Sequence, residues 1–377
     1  YLNLNTCRFL WKQVKFPLAT DASNAAVQVL KEGEVQGSDV AAHSAGVLDI
    51  RTNILADTDA LYLTAIDKYG HELWRWTFPV NKLNQQTEQL SPLSSRPTYT
   101  ETENDLTVKA NKRTFIFSKK DGQLKGVSVD NRKINFANGP RFIGARRADR
   151  SLDQFYNHDD EKAKEKDRTY SEFPDAAVFT KLDVKQDGGD LIVTANYKLG
   201  NLDKAQWTIN PSGDLALDYT YNFSGVVDLM GIRFDYPEDQ VISKRWLGAG
   251  PYRVWQNRIH GTQYDVWENN YNDPIPGETF TYPEFKGYFG DVSWMNIQTK
   301  EGTISLTNET PDTYIGVYQP RDGRDRLLYT LPESGISVLN VIPPVRNKVN
   351  STDLCGPSSQ PKWVNGPQTG RVIFRFM

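Results

Sequence analysis

From Glu101 onward apolar and polar residues alternate with a period of two, in segment after segment, which commits the chain to half-buried β-strands. Leu106–Asn111, Thr114–Ser118 and Gly126–Val129 carry the pattern first. Leu191–Leu199, Ala205–Asn210, Leu215–Phe223 and Met230–Asp235 continue it. Between them stand turn sequences: Lys120-Asp-Gly-Gln, Gln186-Asp-Gly-Gly and Pro211-Ser-Gly-Asp. Roughly 270 residues of this signal suit one many-stranded antiparallel supersandwich better than two ordinary sandwiches.

The first 80 or so residues read as shorter strands, at Cys7–Phe16, Ala26–Leu30, Gly46–Arg51 and Leu61–Ile66. In the first of them Phe9, Trp11 and Val14 alternate against Arg8, Lys12 and Lys15, and the phase slips by one at Gln13, as a β-bulge would produce. Gly33, Gly37 and Asp67-Lys-Tyr-Gly70 read as turns, and the spacing predicts a small immunoglobulin-like sandwich. From Asn81 to Thr100 the apolar pattern gives way to Asn, Gln, Ser and Pro. The predicted organisation is therefore a sandwich over residues 1–82, a linker over 83–100 and the supersandwich over 101–377.

Scattered Lys and Arg with a net charge of -3 give no footprint for nucleic acid. No apolar run approaches the roughly 20 residues of a membrane span. The chain opens at Tyr1 without an initiator Met or a leader, and is expected to be a processed product or a piece of a longer protein. Its two cysteines, Cys7 and Cys355, lie near opposite ends and are read as buried free thiols. His43, His71, His158 and His260 are too dispersed for a metal cluster, so neither metal nor cofactor is expected. Residues Asp159–Arg168, dense in both charges, read as a solvated loop, with a short helix held by i,i+4 pairs as the alternative.

The richest stretch runs from Trp246 to Trp294, where Tyr252, Trp255, Tyr264, Trp267, Tyr271, Phe280, Tyr282, Phe285, Tyr288 and Phe289 stand among Gly, Asn, Pro and acids. Rings in such company can stack on a sugar face while their neighbours bond its hydroxyls. They can equally plug long loops onto a sheet. Trp246-Leu-Gly-Ala-Gly-Pro-Tyr252, followed by Asn257-Arg258, resembles the W-L-G-x-G-P signature with its downstream Asp-Arg or Asn-Arg in the last domain of the large β-galactosidases of glycoside hydrolase family 2. Tyr282-Pro-Glu-Phe-Lys-Gly-Tyr288, Asp130–Phe136 and Asn138-Gly-Pro140 resemble further parts of that galactose-mutarotase-like domain. Leu4–Trp11 and Asp59–Trp76 resemble the first strand and closing hairpin of the sandwich that precedes it.

The sequence departs from the family in two places. Gly144-Ala-Arg-Arg-Ala-Asp-Arg-Ser-Leu-Asp153 stands where the family usually has Trp-Arg-Ala-Pro-Thr-Asp-Asn-Asp, keeping an Arg-Ala and losing the Pro and the acidic end. In the loop Ser351-Thr-Asp-Leu-Cys-Gly-Pro357, Cys355 occupies the position of a family Trp that reaches the sugar, which leaves that role lost or passed to Trp363.

The resemblance implies an all-β chain, an immunoglobulin-like β-sandwich followed by a large antiparallel galactose-mutarotase-like supersandwich. A retaining glycosidase needs two carboxylates about 5 to 5.5 Å apart on rigid elements. In the family these sit on a (β/α)8 barrel, and no strand–helix alternation of that length occurs in this chain. The chain is thus read as the non-catalytic portion of such an enzyme, with the catalytic barrel of the same polypeptide and carbohydrate as partners. A homo-oligomer through the intact enzyme is compatible with it, and the family's use of external glycans favours the periplasm or the exterior. Arg253, Trp255, Arg258, Trp267, Asn269, Tyr271 and Trp363 are the candidates for sugar contact, and Trp255 with Arg258 can instead form a cation–π clamp. One alternative is a self-sufficient sugar epimerase, for which His260 with Glu268 or Glu284 is the available acid–base set. The other is a pure scaffold for the barrel.

Overall fold

The computed structural model describes residues 3–81, 95–147, 170–270, 287–317, 332–345 and 356–377. These form two compact units, one of Tyr1–Glu88 with Gln263–Val266, the other of Gln89–Thr262 with Trp267–Met377.

The first unit is built on one antiparallel sheet of β1 (Arg8–Lys15), β2 (Gln28–Gln36), β3 (Ala60–Ile66) and β4 (Glu72–Pro79), ordered β2-β1-β3-β4. The register of β1 against β2 shifts between Gln13 and Val14, where the alternation slips in the sequence. Gln13 is wholly buried because its amide donates to Thr52 Oγ1 at 3.0 Å and the Asn53 carbonyl at 2.8 Å, and accepts from Leu55 N and Thr58 Oγ1 at 2.9 Å each. The bulge thereby turns a polar side chain inward to hold the stretch that precedes β3. That stretch carries no strand, so the one expected at Gly46–Arg51 does not form, and irregular chain takes the place of a second strand layer. Gly33 lies inside β2 rather than at a turn. A Cβ there would sit 2.4 Å from the Trp11 ring, so the missing side chain is what lets Trp11 lie across the neighbouring strand. Within this unit the Tyr62 hydroxyl donates to Asp265 Oδ1 at 2.6 Å, and Arg75 pairs with Asp265 at 2.8 Å while lying over the Tyr62 ring. Burial, then the Asp265 carboxylate, pushes the Tyr62 phenol far above its ordinary range. Cys7 is buried and free, whereas Cys355 lies outside the described residues.

The second unit opens with β5 (Thr98–Glu101), which begins inside the stretch read as linker. There follow β6 (Asp105–Ala110), β7 (Arg113–Ser118), β8 (Leu124–Val129), β9 (Arg132–Ile134), β10 (Ala137–Arg147) and β11 (Tyr170–Glu172). The chain continues through β12 (Val178–Asp187), β13 (Asp190–Lys198), β14 (Leu202–Ile209), β15 (Leu215–Val227), β16 (Leu229–Asp235) and β17 (Val241–Gly250). It closes with β18 (Gln263–Asn270), of which Gln263–Val266 belong to the first unit, β19 (Phe289–Gly290), β20 (Trp294–Thr299), β21 (Gly302–Asn308), β22 (Tyr314–Val317), β23 (Ile336–Val341) and β24 (Lys362–Phe376). An 11-stranded sheet runs β19-β22-β23-β16-β10-β8-β7-β6-β5, with β11 on β10 and β9 on β8. A 9-stranded sheet runs β12-β13-β14-β15-β24-β21-β20-β17-β18.

The pairings between these strands are antiparallel, with one isolated parallel bridge from Phe234 to Gly335, and apolar side chains of both sheets meet in one core, as expected of a supersandwich. Phe136 stacks on Phe234 at 4.8 Å and meets Phe374 at 5.0 Å, joining β16 of one sheet to β24 of the other. All 13 residues of β15 pair with β24, so the C-terminal strand is the spine of the second sheet. The turn between β8 and β9 is made by Asp130 at φ 48° and Asn131 at φ 64°, the left-handed pair that a two-residue hairpin requires. Residues Asp159–Arg168 lie outside the described residues.

Candidate functional site

The aromatic motif begins on β17. Trp246 is fully buried, meets Phe289 edge to face at 4.9 Å, and donates its indole N–H to the Ala249 carbonyl at 3.1 Å. Gly248 and Gly250 are small because other groups come against them. A Cβ on Gly248 would lie 3.0 Å from the Gly290 carbonyl oxygen, and one on Gly250 would lie 2.5 Å from the Trp267 ring. Trp267 packs there on the core and donates to the Gly248 carbonyl at 3.1 Å.

Beyond Pro251 the chain lays itself over the outer face of the 11-stranded sheet. Alternate residues of β10 feed opposite faces: Phe142 enters the main core, whereas Ile143 and Ala145 join Leu229 and Leu339 in a second cluster. Val254, Trp255 and Tyr288 close that cluster. Val254 and Tyr288 exchange backbone hydrogen bonds at 2.7 and 2.8 Å, and Trp255 meets Tyr288 edge to face at 5.7 Å. Arg253 is 3% exposed and its guanidinium lies 5.7 Å from the Phe289 ring centre, with Lys244 Nζ 5.8 Å from the same centre.

The next two residues tie the motif to the C-terminal segment. Gln256 Nε2 donates to the carbonyls of Ser358 and Gln360 at 2.8 Å each. Asn257 Nδ2 donates to the Val345 carbonyl at 2.6 Å and Ser359 Oγ at 2.8 Å, while its Oδ1 accepts from Val345 N at 2.9 Å. Arg147, at the end of β10, donates to the Ser359 carbonyl at 2.9 Å and lies 3.5 Å from the buried Asp228 carboxylate, which also accepts from the Arg147 backbone N–H at 3.0 Å. The turn Pro357–Ser359, just before β24, is thus held by the buried Arg147 and Gln256 and the half-buried Asn257.

The structure distributes the seven predicted contact residues unevenly. Arg253, Trp255 and Asn269 are buried, Trp267 and Arg258 are partly buried, and Tyr271 lies outside the described residues. Trp363 is 71% exposed, opposite Val226 at the start of β24, and does not pack on the sheet. Trp255 and Arg258 are joined by backbone hydrogen bonds of 3.3 and 2.8 Å rather than by a ring–cation contact. Burial raises the Tyr252 phenol against the opposing charge of Arg258, and the Tyr252 hydroxyl donates to the His260 carbonyl at 3.3 Å. His260 and Glu268 are both exposed, and Glu284 lies outside the described residues. Among the described residues no group of three or more His, Cys, Asp or Glu is placed to hold a metal ion. Sequence reasoning missed Arg147, Asp228 and Ser359. Gln256 lies inside the quoted motif, but the motif does not say what it bonds.

This arrangement defines an all-β supersandwich in which Val254, Trp255 and Tyr288, described parts of the aromatic stretch, pack as a cover on one sheet. The family model of the β-galactosidase small chain matches residues 109–342, and the chain belongs to that family. A search of the curated proteins finds no match. Among solved structures the chain is similar to a galactose 1-epimerase from Lactobacillus acidophilus NCFM, at 10% identity over 75% of this chain and 99% of that one, with a TM-score of 0.39. It is also similar to YeaD from Salmonella typhimurium, at 9% identity over 76% and 95%, TM-score 0.33. A copper-containing benzylamine oxidase from Hansenula polymorpha aligns with 99% of this chain and 77% of that one at 7% identity, TM-score 0.30.

Proposed function

We propose that this chain is the C-terminal, non-catalytic portion of a family 2 β-galactosidase-like enzyme, acting with a catalytic barrel that lies elsewhere in the same polypeptide. The observation that carries the reading is the match of the small-chain family over residues 109–342. The burial of the motif supports it, since Arg253 and Trp255, each 3% exposed, serve the packing of the loop and leave little surface for a substrate. Trp363 is the candidate ring with a free face, and the polar turn before it fixes where its strand starts. In this reading Trp363, with Arg258, makes the sugar contact, and the barrel supplies both catalytic carboxylates.

The supporting experiment is complementation. The barrel-containing portion of a β-galactosidase of this family is produced separately, and hydrolysis of a chromogenic galactoside is followed with and without this chain. Activity that appears only on mixing supports the reading. A barrel that is fully active alone and unchanged on mixing contradicts it. In the complemented enzyme Trp363→Ala is expected to lower kcat/KM about tenfold, equivalent to about 1.4 kcal/mol of transition-state binding.

A further inference from the structure

A second place on the supersandwich forms a cleft, and among the described residues none of its walls belongs to the aromatic motif. A cavity of about 560 Å³ opens where β8, β9, β10 and β16 come together with the Glu238–Gln240 turn and residues 333–335. That volume falls in the range of small-molecule sites, about 300–1,000 Å³.

The walls are fixed by contacts that do not consume the whole lining. Glu301 accepts from the Asn135 backbone N–H and from the Tyr236 hydroxyl at 3.0 Å each, and also from the Asn135 amide, which holds one side. Asp235 takes the Arg141 guanidinium and the Asn138 amide, which holds the floor. Gly335, at φ 52°, passes so close to the Phe234 carbonyl that a Cβ would lie 2.1 Å from its oxygen, which fixes the third side. Arg233 gives one guanidinium N–H to the Glu333 carbonyl and leaves its Nε–H without a hydrogen-bond partner. The Glu333 side chain is exposed, and Lys133 lines the opening from β9.

The lining balances charge. Lys125, Lys133 and Arg233 supply cations, Lys125 being paired with Asp105, and Asp235, Glu238 and Glu333 supply anions, Asp235 being paired with Arg141, so the balance around the opening holds once those two pairs are set aside. An anionic ligand would meet as many carboxylates as cations, and the same holds in reverse for a cation. A neutral ligand with several hydroxyls satisfies both sets, because each hydroxyl donates to a carboxylate and accepts from an ammonium or guanidinium group.

We propose that this cleft is a second saccharide-binding site, taking a neutral mono- or disaccharide through Arg233, Asp235, Lys133 and Glu333. The choice of a saccharide among neutral polyhydroxyl ligands rests on the proposed function, and the cleft itself rests on the geometry.

The test is NMR titration of the full chain, isotopically labelled, with galactose and lactose and with inorganic phosphate as the anionic probe. Perturbations are expected at Lys133, Asn138, Tyr236 and Ser334 with either sugar and not with phosphate, at dissociation constants on the order of millimolar. The double variant Lys133→Ala, Glu333→Ala removes two side chains whose loss leaves the wall contacts in place, and is expected to weaken the cleft perturbations at least fivefold. No perturbation of these residues by 50 mM sugar, perturbation only around Trp255 and Trp363, or a stronger response to phosphate would each overturn the proposal. None of those outcomes touches complementation of the barrel, so the two readings fail separately.

Discussion

Trp246 and Trp363 are the same residue type in opposite circumstances. The first is fully buried against Phe289, the second 71% exposed. Trp246→Ala leaves a void that the packed strands around it cannot fill, at a cost of about 3–5 kcal/mol in denaturant unfolding. Trp363→Ala is expected to stay within about 0.5 kcal/mol of the parent, since a surface ring has no cavity to leave. Equal losses for the two would contradict the burial assignment. Buried Asp214 and half-buried Arg375, joined by two hydrogen bonds of 2.7 Å, add a pH term. Burial alone would raise the Asp214 carboxyl, but the Arg375 hydrogen bond and charge outweigh it and hold the group below its ordinary value. A depressed folded pKa gives stability that is present above the unfolded value, near pH 4, and is lost as pH falls through the folded value. Asp214→Asn is therefore expected to flatten the acid limb of a stability–pH profile measured by urea unfolding, while an unchanged slope below about pH 4 would remove Asp214 from the account. At this scale the sequence is informative where the cause is local. The phase slip at Gln13 reads as a bulge from eight residues of one strand, whereas Gly33 reads as a turn because the Trp11 ring that needs its missing side chain lies on another strand.

At the scale of elements, β17 shows how a motif can be legible while its role is not. Its spelling, from Trp246 to Asn257-Arg258, is enough to suggest a family. Its burial depends on partners about a hundred residues away, as in the bonds from Gln256 to Ser358 and Gln360. No local pattern carries that information. The Asp130-Asn131 turn is the opposite case, since two left-handed residues between alternating strands specify the hairpin by themselves. Gly46–Arg51 fails as a strand for a related reason, because alternation gives the faces of a strand but not a partner edge to bond. The close fit of Gly250 to Trp267 gives a direct prediction. Gly250→Ala drives a methyl group into the indole, costs about 1–3 kcal/mol by overpacking, and shifts the fluorescence of the displaced tryptophan. The Gly250→Ala, Trp267→Leu double variant is expected to recover part of that stability, and additive losses would show that the two positions do not meet.

For the whole molecule, the fold class follows from composition and period, because more than two hundred residues of alternation can bury their apolar faces only by packing sheets together. The site does not follow in the same way. Of the residues that looked most like a sugar site, Arg253, Trp255 and Asn269 are buried, Trp255 in the cluster on one face of the 11-stranded sheet, and the exposed Trp363 stands on the last strand. In the proposed reading such a chain presents a surface, and catalysis falls to a barrel supplied elsewhere. The measurement that bears most directly on that claim is galactoside hydrolysis by a separately produced catalytic barrel, titrated with this chain. The account predicts no hydrolysis by this chain alone and activity that rises with its concentration to saturation. Turnover by this chain without the barrel, or a barrel indifferent to it, would contradict the account.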